Sequence, residues 1–195
     1  MWSISAYTLS RALKHPPSSI DLEPDSSSVL RRGGTLTRGA LLAALGHTGP
    51  GVDDKFPLPN KQALFNCLSQ AKVFSKFDLK AGFWQLGFHP EDKPKSRFCI
   101  LNTHYQGKVM LFGLKTTSSL FQKAMCRIFS LIMDHAFVYI DDILLFGPIE
   151  EAHVHLLQQF SDIVLSYGIM LFDKKMVIGQ KEIQFLEMKL ANGQY

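Results

Sequence analysis

The fold of this chain is decided by one stretch, Phe137-Val138-Tyr139-Ile140-Asp141-Asp142-Ile143-Leu144-Leu145-Phe146. Two runs rich in β-branched and aromatic residues flank two aspartates, which predicts a tight β-hairpin with Asp141-Asp142 as its turn. Such turns normally prefer Asn-Gly or Asp-Gly, because positive φ is cheap there. Adjacent carboxylates also disfavour each other's ionisation. The stretch is therefore either an acidic surface turn or a site where carboxylates hold a hard cation such as Mg²⁺.

Length and composition are those of a globular chain with one domain and an appendage. The 195 residues are 46% hydrophobic and 19% charged, which is enough for a hydrophobic core. A net charge of +4 permits a polyanionic partner without requiring one. The cysteines have no Cys-x-x-Cys spacing and are expected to be reduced thiols. No run approaches the roughly eighteen apolar residues that a membrane span requires, so no membrane partner is expected.

The chain divides near residue 50. Residues 1–50 contain clusters of serine, proline and glycine and few aromatics, a composition typical of disordered sequence. Only Ala40 to Leu45 could form a short helical turn there. Residues 51–195 are densely patterned, and we expect them to form the folded domain.

Apolar periodicity predicts the strands of this domain. Residues 73–79 alternate between apolar and polar positions and form a strand with Asp78 near its C-terminal end. A short turn or helix over Gly82 to Phe88 follows it. Residues 96–100 and 105–111 predict a strand pair.

Two amphipathic helices and a closing strand or hairpin complete the prediction. Thr116 or Thr117 can cap the first helix, and the second runs from about Glu150 to Tyr167 with Gly168 as its stop. Residues 183–190 form the last strand or hairpin. This mixture predicts an α+β fold, an antiparallel sheet with helices packed on one face.

A third carboxylate, Asp78, stands at a predicted strand end. If that strand and the hairpin are neighbours in one sheet, Asp78 and Asp141 converge although they are distant in sequence. Such a cluster suits two-metal phosphoryl transfer, in which one metal activates the attacking hydroxyl and the other stabilises the leaving group. Positioning and charge carry most of this chemistry.

Ordered sequence blocks resemble the palm region of reverse transcriptases from plant pararetroviruses (caulimovirus-like elements) and, more distantly, Gypsy-type LTR retrotransposons. The resemblance covers the chain from Lys55 onward, and its blocks are Phe56-Pro57-Leu58-Pro59-Asn60, residues 74–85, Phe112-Gly113-Leu114-Lys115, Phe121-Gln122, residues 139–144, Gly168-Ile169-Met170-Leu171 with Lys174-Lys175, and Phe185-Leu186. It implies a right-hand polymerase palm over residues 51–195, from partial fingers to primer grip, behind a non-homologous segment 1–50.

The resemblance also implies chemistry and partners. The activity would be RNA-directed DNA polymerisation, with an RNA or DNA template-primer and deoxynucleoside triphosphates as partners. Two Mg²⁺ ions, with Mn²⁺ as an alternative, would be held by Asp78 and Asp141, with Asp142 as the auxiliary acid. Lys175 would protonate the leaving pyrophosphate. Cytoplasm or nucleus is the location that the family suggests.

Nucleotide and primer contacts follow from the same resemblance. The nucleotide-binding positions would be Leu79, Phe83, Phe112 and Gly113, and the primer grip would be Phe185 and Leu186. Phe83 falls on the steric gate against a ribose 2′-hydroxyl, because a flat ring leaves no room for an extra hydroxyl. From the residues alone, Phe83 and Phe112 could equally be core aromatics, and Lys175 could belong to a solvated charged turn.

Several positions depart from the family pattern. Leu111 replaces the usual Pro, Thr116-Thr117-Ser118 replaces Asn-Ala-Pro, and Glu187 replaces a Gly, which adds negative charge and disfavours positive φ. Residues 1–50 lack the basic fingers pattern, and we expect fingers to be incomplete and thumb absent, with ribonuclease H and the missing parts supplied only in a full polyprotein. Positioning of the reactants accounts for roughly 7–11 kcal/mol of the activation barrier in reactions of this kind. The expectation is a truncated endogenous copy with very weak or no activity.

Three alternatives stay open at this point. A non-catalytic remnant could bind nucleic acid through its basic residues, since lysines and arginine are spread over several segments. A phosphohydrolase could use the same strand-end aspartates with Mg²⁺. The chain could also be a pseudogene product that does not accumulate.

Overall fold

The computed structural model describes the backbone of Leu22–Pro24 and residues 56–60, 68, 70–91, 93–96, 98–100, 103–110 and 117–191. The helical turn expected at Ala40 to Leu45 lies outside these residues. Within the described ranges, no helix is long and apolar enough to cross a membrane.

Strands and helices alternate along the described chain. They are β1 (Leu22–Pro24), β2 (Val73–Asp78), α1 (Gly82–Gln85), β3 (Phe98–Ile100), β4 (Thr103–Gly107), α2 (Thr117–Ile128), β5 (Ala136–Tyr139), β6 (Asp142–Gly147), α3 (Glu150–Tyr167), β7 (Val177–Gln180), β8 (Glu182–Phe185) and β9 (Met188–Ala191). Short 3₁₀ turns lie at Lys93–Ser96, Ser130–Ile132 and Asp173–Lys175. The predicted strand pair, both amphipathic helices and the closing hairpin are confirmed.

The central sheet has four strands in the order β5-β6-β2-β7, each antiparallel to its neighbour. Strand β2 pairs with β6 along its whole length, from Val73 opposite Gly147 to Asp78 opposite Asp142. A second sheet has the order β1-β4-β3, and β8 pairs with β9 alone.

Alternating side chains bury both faces of the central sheet. Phe77 and Ile143 point toward the helices and belong to the larger core, where the Phe77 and Phe160 ring centroids are 4.4 Å apart. Phe74 and Leu144 point the other way, into a smaller core that includes Phe185 of the β8–β9 hairpin. The expected antiparallel sheet with helices packed on one face is therefore confirmed, and the hairpin covers part of the other face.

Helix α3 begins and ends where its sequence predicts. Glu150 and Glu151 lie in its first turn, where negative charge is favourable against the helix dipole. Gly168 adopts φ 63°, a left-handed conformation, and the following amide of Ile169 donates to the carbonyl of Val164 at 2.9 Å. The prediction of Gly168 as the helix stop is confirmed.

The hairpin turn differs by one residue from the prediction. Tyr139 pairs directly with Asp142, so the two loop residues are Ile140 and Asp141, and Asp142 already belongs to β6. The prediction of Asp141-Asp142 as the turn was therefore wrong. The register follows burial, because this pairing sets Val138 opposite Ile143 on the core face. It leaves Ile140 at φ 51°, which costs a non-glycine residue about 1–3 kcal/mol.

Candidate active site

Three carboxylates gather at one end of the central sheet. Asp78 ends β2, Asp142 begins β6 directly opposite it, and Asp141 precedes Asp142 in the turn. Residues directly opposite in an antiparallel pair face the same side, so Asp78 and Asp142 are neighbours. The amide of Leu79 donates to the Asp141 carbonyl at 2.9 Å, which ties the turn to the end of β2. The sheet thus brings together the three acids that the sequence singled out.

Burial is the main cause that raises the pKa values of two of these acids, Asp141 and Asp142. Burial, followed by the negative charges of Asp78 and Asp142, raises the pKa of Asp141 to about 6, while Lys175 acts in the opposite direction. Burial is also the main cause that raises the pKa of Asp142. The pKa of Asp141 therefore lies well above its ordinary value of 3.8.

Two lysines approach the other two acids. The Nζ of Lys175 lies 2.9 Å from Oδ2 of Asp78, and the Nζ of Lys76 lies 3.6 Å from Oδ1 of Asp142. The hydrogen bond to Asp78 raises the pKa of Lys175, although its side chain is 57% exposed. The structure thus places Lys175, predicted from the resemblance, against the first acid of the site.

The side chain of Asp141 fits a cation ligand. Its Oδ1 is buried and has no hydrogen-bond partner, an arrangement that costs free energy unless a donor or a cation satisfies the oxygen. It lies against Gly82, where an added Cβ would overlap Oδ1 and come within 2.8 Å of Cγ. Carboxylate oxygens are the ligands that hard divalent cations prefer.

The arrangement is not a ready-made metal cluster. In the part of the chain that the structure describes, no three His, Cys, Asp or Glu residues are grouped closely enough to hold a metal ion. Asp78 and Asp142 each face a lysine instead. The residues fit a divalent cation. Asp141 would offer it a carboxylate oxygen that has no hydrogen-bond partner. Asp78 would bind it either together with Lys175 or in place of its contact with Lys175.

A glutamine that the sequence did not single out organises the segment beside Asp78. Gln85 donates to the carbonyls of Lys80 at 2.7 Å and Met170 at 2.9 Å, and it accepts the Met170 amide at 2.8 Å. The amide of Phe172 then donates to the Asp78 carbonyl at 2.8 Å. Gln85 thereby links the chain after β2 to the segment that leads to Lys175. Its only sequence signal was a polar residue inside an aromatic block.

The predicted nucleotide-binding residues divide into two groups. Leu79 is buried and forms an isolated bridge with Leu171. Phe83 is 8% exposed and its ring centroid lies 4.8 Å from that of Phe121, which is also the placement expected of a core aromatic. Phe112 and Gly113 lie outside the described residues.

The predicted primer grip occupies the β8–β9 hairpin. Phe185 is fully buried and packs edge-on against Phe137, with ring centroids 6.2 Å apart. Leu186 is half-buried and lies in the two-residue turn with Glu187. Both turn residues have positive φ, 47° and 68°, so Glu187 adopts the conformation that its side chain disfavours.

The sequence matches a known protein family and several viral polyproteins. The sequence profile of the family described as reverse transcriptase (RNA-dependent DNA polymerase) matches residues 36–190. The genome polyprotein of Petunia vein clearing virus (isolate Shepherd) is 59% identical over 143 residues, which are 73% of this chain and 7% of that protein. The enzymatic polyprotein of Cauliflower mosaic virus (strain Strasbourg) is 37% identical over 142 residues, 73% of this chain and 21% of that protein. The chain thus spans a small part of these relatives.

Solved structures share the fold. The foamy viral protease-reverse transcriptase in complex with an RNA/DNA hybrid matches with a TM-score of 0.61 at 20% identity, over 70% of this chain and 19% of that chain. A mutant of the prototype foamy virus protease-reverse transcriptase matches with a TM-score of 0.60 at 25% identity, over 68% and 18%. These matches confirm the polymerase-palm fold, and together with the profile they establish that the chain belongs to the reverse transcriptase family.

Proposed function

We propose that this chain carries the catalytic palm of an RNA-directed DNA polymerase, which transfers nucleotides to a primer 3′-hydroxyl by a two-metal mechanism. The observation that carries the proposal is the meeting of Asp78, Asp141 and Asp142 where β2 ends and β6 begins. The substrates are deoxynucleoside triphosphates on an RNA or DNA template-primer.

Asp78 and Asp141 are the residues that would hold Mg²⁺, or Mn²⁺ in its place. Bound there, the ions supply a lowered pKa for the attacking hydroxyl and a counter-charge for the leaving pyrophosphate. Asp142 is the auxiliary acid, and its contact with Lys76 holds it beside the other two. The unsatisfied Oδ1 of Asp141 supports this assignment, because a cation near that carboxylate would relieve the cost of burying its charge.

Lys175 is the proton donor in this proposal. Its hydrogen bond to Asp78 holds the ammonium group of Lys175 within reach of the site. From this position the Nζ of Lys175 would donate its proton to an oxygen of the departing pyrophosphate.

Nucleotide and primer would lie along the same end of the sheet. Phe83 directly follows Gly82, which lies against Asp141, and in this proposal its ring is the gate against a ribose 2′-hydroxyl. Leu79, Phe112 and Gly113 complete the nucleotide site, and Phe185 with Leu186 forms the primer grip. Structures of foamy viral protease-reverse transcriptase with an RNA/DNA hybrid and with double-stranded DNA support a duplex as the partner.

Very weak activity is part of the proposal. Lysines engage two of the acids, and Leu111, Thr116-Thr117-Ser118 and Glu187 replace residues that the family uses to position template and primer. The second candidate function, a non-catalytic remnant that binds nucleic acid, is favoured by the lysine pairs.

Primer extension with Mg²⁺ or Mn²⁺ separates the two functions. We expect slow incorporation by the wild-type chain, loss of incorporation in Asp141→Asn, and no change in Asp134→Asn, which alters an exposed acid away from the site. Salt-sensitive binding of the template-primer, without incorporation by any variant, would support the non-catalytic remnant instead.

A further inference from the structure

A buried glutamine on α2 holds the turn that carries Asp141. Gln122 is 0% exposed, and its Oε1 accepts the amide of Ile140 at 2.7 Å while its Nε2 donates to the carbonyl of Val138 at 2.8 Å. A β-strand neighbour would bond residues i and i+2 in the same way. β5 is an edge strand of the central sheet, so this helix side chain takes the place of a neighbouring strand.

The two hydrogen bonds of Gln122 lie beside a residue with a strained backbone conformation. Ile140 has φ 51°, which a β-branched residue adopts only when its surroundings impose it. Asp141 follows at once, and Leu79 fixes its carbonyl from the other side. The backbone is therefore held on both sides of the point where the Asp141 carboxylate turns toward Gly82.

We propose that Gln122 is a positioning residue, which clamps the Ile140–Asp141 turn so that the Asp141 carboxylate is directed into the site. The part of this inference that concerns metal binding rests on the proposed function, whereas the clamp itself does not. The primary amide of Gln122 offers a donor and an acceptor on one planar group, whereas an ionised carboxylate has no donor and a thioether has no strong partner for either bond. Residues that do not touch a metal ion but orient its ligands typically change metal affinity by about 10–100-fold when they are replaced.

The test compares the full wild-type chain with Gln122→Met and Gln122→Glu. Hydrogen exchange of the Ile140 amide reports the clamp, and Mn²⁺ affinity from the electron paramagnetic resonance of free Mn²⁺ reports the carboxylate. Val164→Ala, a core truncation on α3, serves as the control for lost stability alone. We expect both Gln122 variants to speed exchange at Ile140 and to weaken Mn²⁺ binding by about tenfold or more, with neither change in Val164→Ala.

Unchanged exchange at Ile140 in the Gln122 variants would overturn the clamp. Faster exchange with unchanged Mn²⁺ affinity, or an equal loss of affinity in Val164→Ala, would overturn the positioning role. A wild-type chain that binds no Mn²⁺, although Gln122 protects Ile140, would refute the proposed metal site while the clamp holds.

Discussion

Gly82→Ala would place one methyl group in the space beside the Asp141 carboxylate. Gly82 begins α1 without a positive φ, so the backbone accepts Gly82→Ala. The new Cβ would overlap Oδ1 of Asp141 and lie 3.1 Å from Cζ of the buried Phe121 ring. An extra methyl group in a filled site costs about 1–3 kcal/mol, and the Asp141 carboxylate must turn aside to make room. We therefore expect both a lower free energy of unfolding and a weaker affinity for Mn²⁺.

A second glycine in the same sheet provides the control. A Cβ at Gly147 would lie 3.4 Å from Nδ1 and 3.5 Å from Cβ of His153, close to ordinary van der Waals contact and far from the acids. Urea unfolding and Mn²⁺ titration of both variants give the answer. Gly82→Ala should lose stability by about 1–3 kcal/mol and bind Mn²⁺ less tightly, whereas Gly147→Ala should bind Mn²⁺ as the wild type does. Wild-type stability and affinity in Gly82→Ala would refute the geometry.

Three further outcomes follow from charges and backbone angles. Burial raises the pKa of Asp141 to about 6, so ionisation of this carboxyl group lowers the free energy of unfolding as pH rises from about 4 to 6. Asp141→Asn should therefore raise the free energy of unfolding at pH 8 by about 1 kcal/mol after solvent screening. A free energy equal to or lower than that of the wild type would contradict this. Burial lowers the pKa of His153 to about 4, so its contribution is complete above its ordinary pKa of 6.5 and is lost as pH falls to 4. In the Asp141→Asn background, the free energy of unfolding measured with urea should therefore fall by up to roughly 3 kcal/mol between pH 7 and pH 4. His153→Gln should abolish this fall. Glu187→Gly should stabilise the β8–β9 turn by about 1 kcal/mol, because φ 68° is strained for glutamate; a lower melting temperature would contradict that.

Local sequence patterns predicted most of the secondary structure. The strand in residues 73–79 and the end of α3 at Gly168 were both predicted correctly. Each depends on residues only a few positions apart in the sequence. The turn residues were misassigned, because two apolar runs around Asp141-Asp142 do not reveal which pairs face the core. Burial of Ile143 against the helices decides that register, and it depends on the whole fold.

The site was predictable in its acids but not in its supports. Asp78 stands at a strand end and Asp141 in the hairpin turn, and both positions are visible in the sequence. The partners of Gln85, Gln122 and Lys76 lie in distant segments, so sequence spacing alone could not reveal their hydrogen bonds and ion pairs. A glutamine in an apolar stretch is an ambiguous signal, since surface and buried amides look alike.

The proposed function requires that Asp78 and Asp141 be ligands of the same divalent cation. Mn²⁺ affinity of Asp78→Asn, Asp141→Asn and the double variant tests it most directly, because groups that act on one ion are not additive. We predict that each single variant loses most of the Mn²⁺ affinity and that the double variant loses little more. Wild-type affinity in both single variants, or independent and additive losses, would contradict the shared site.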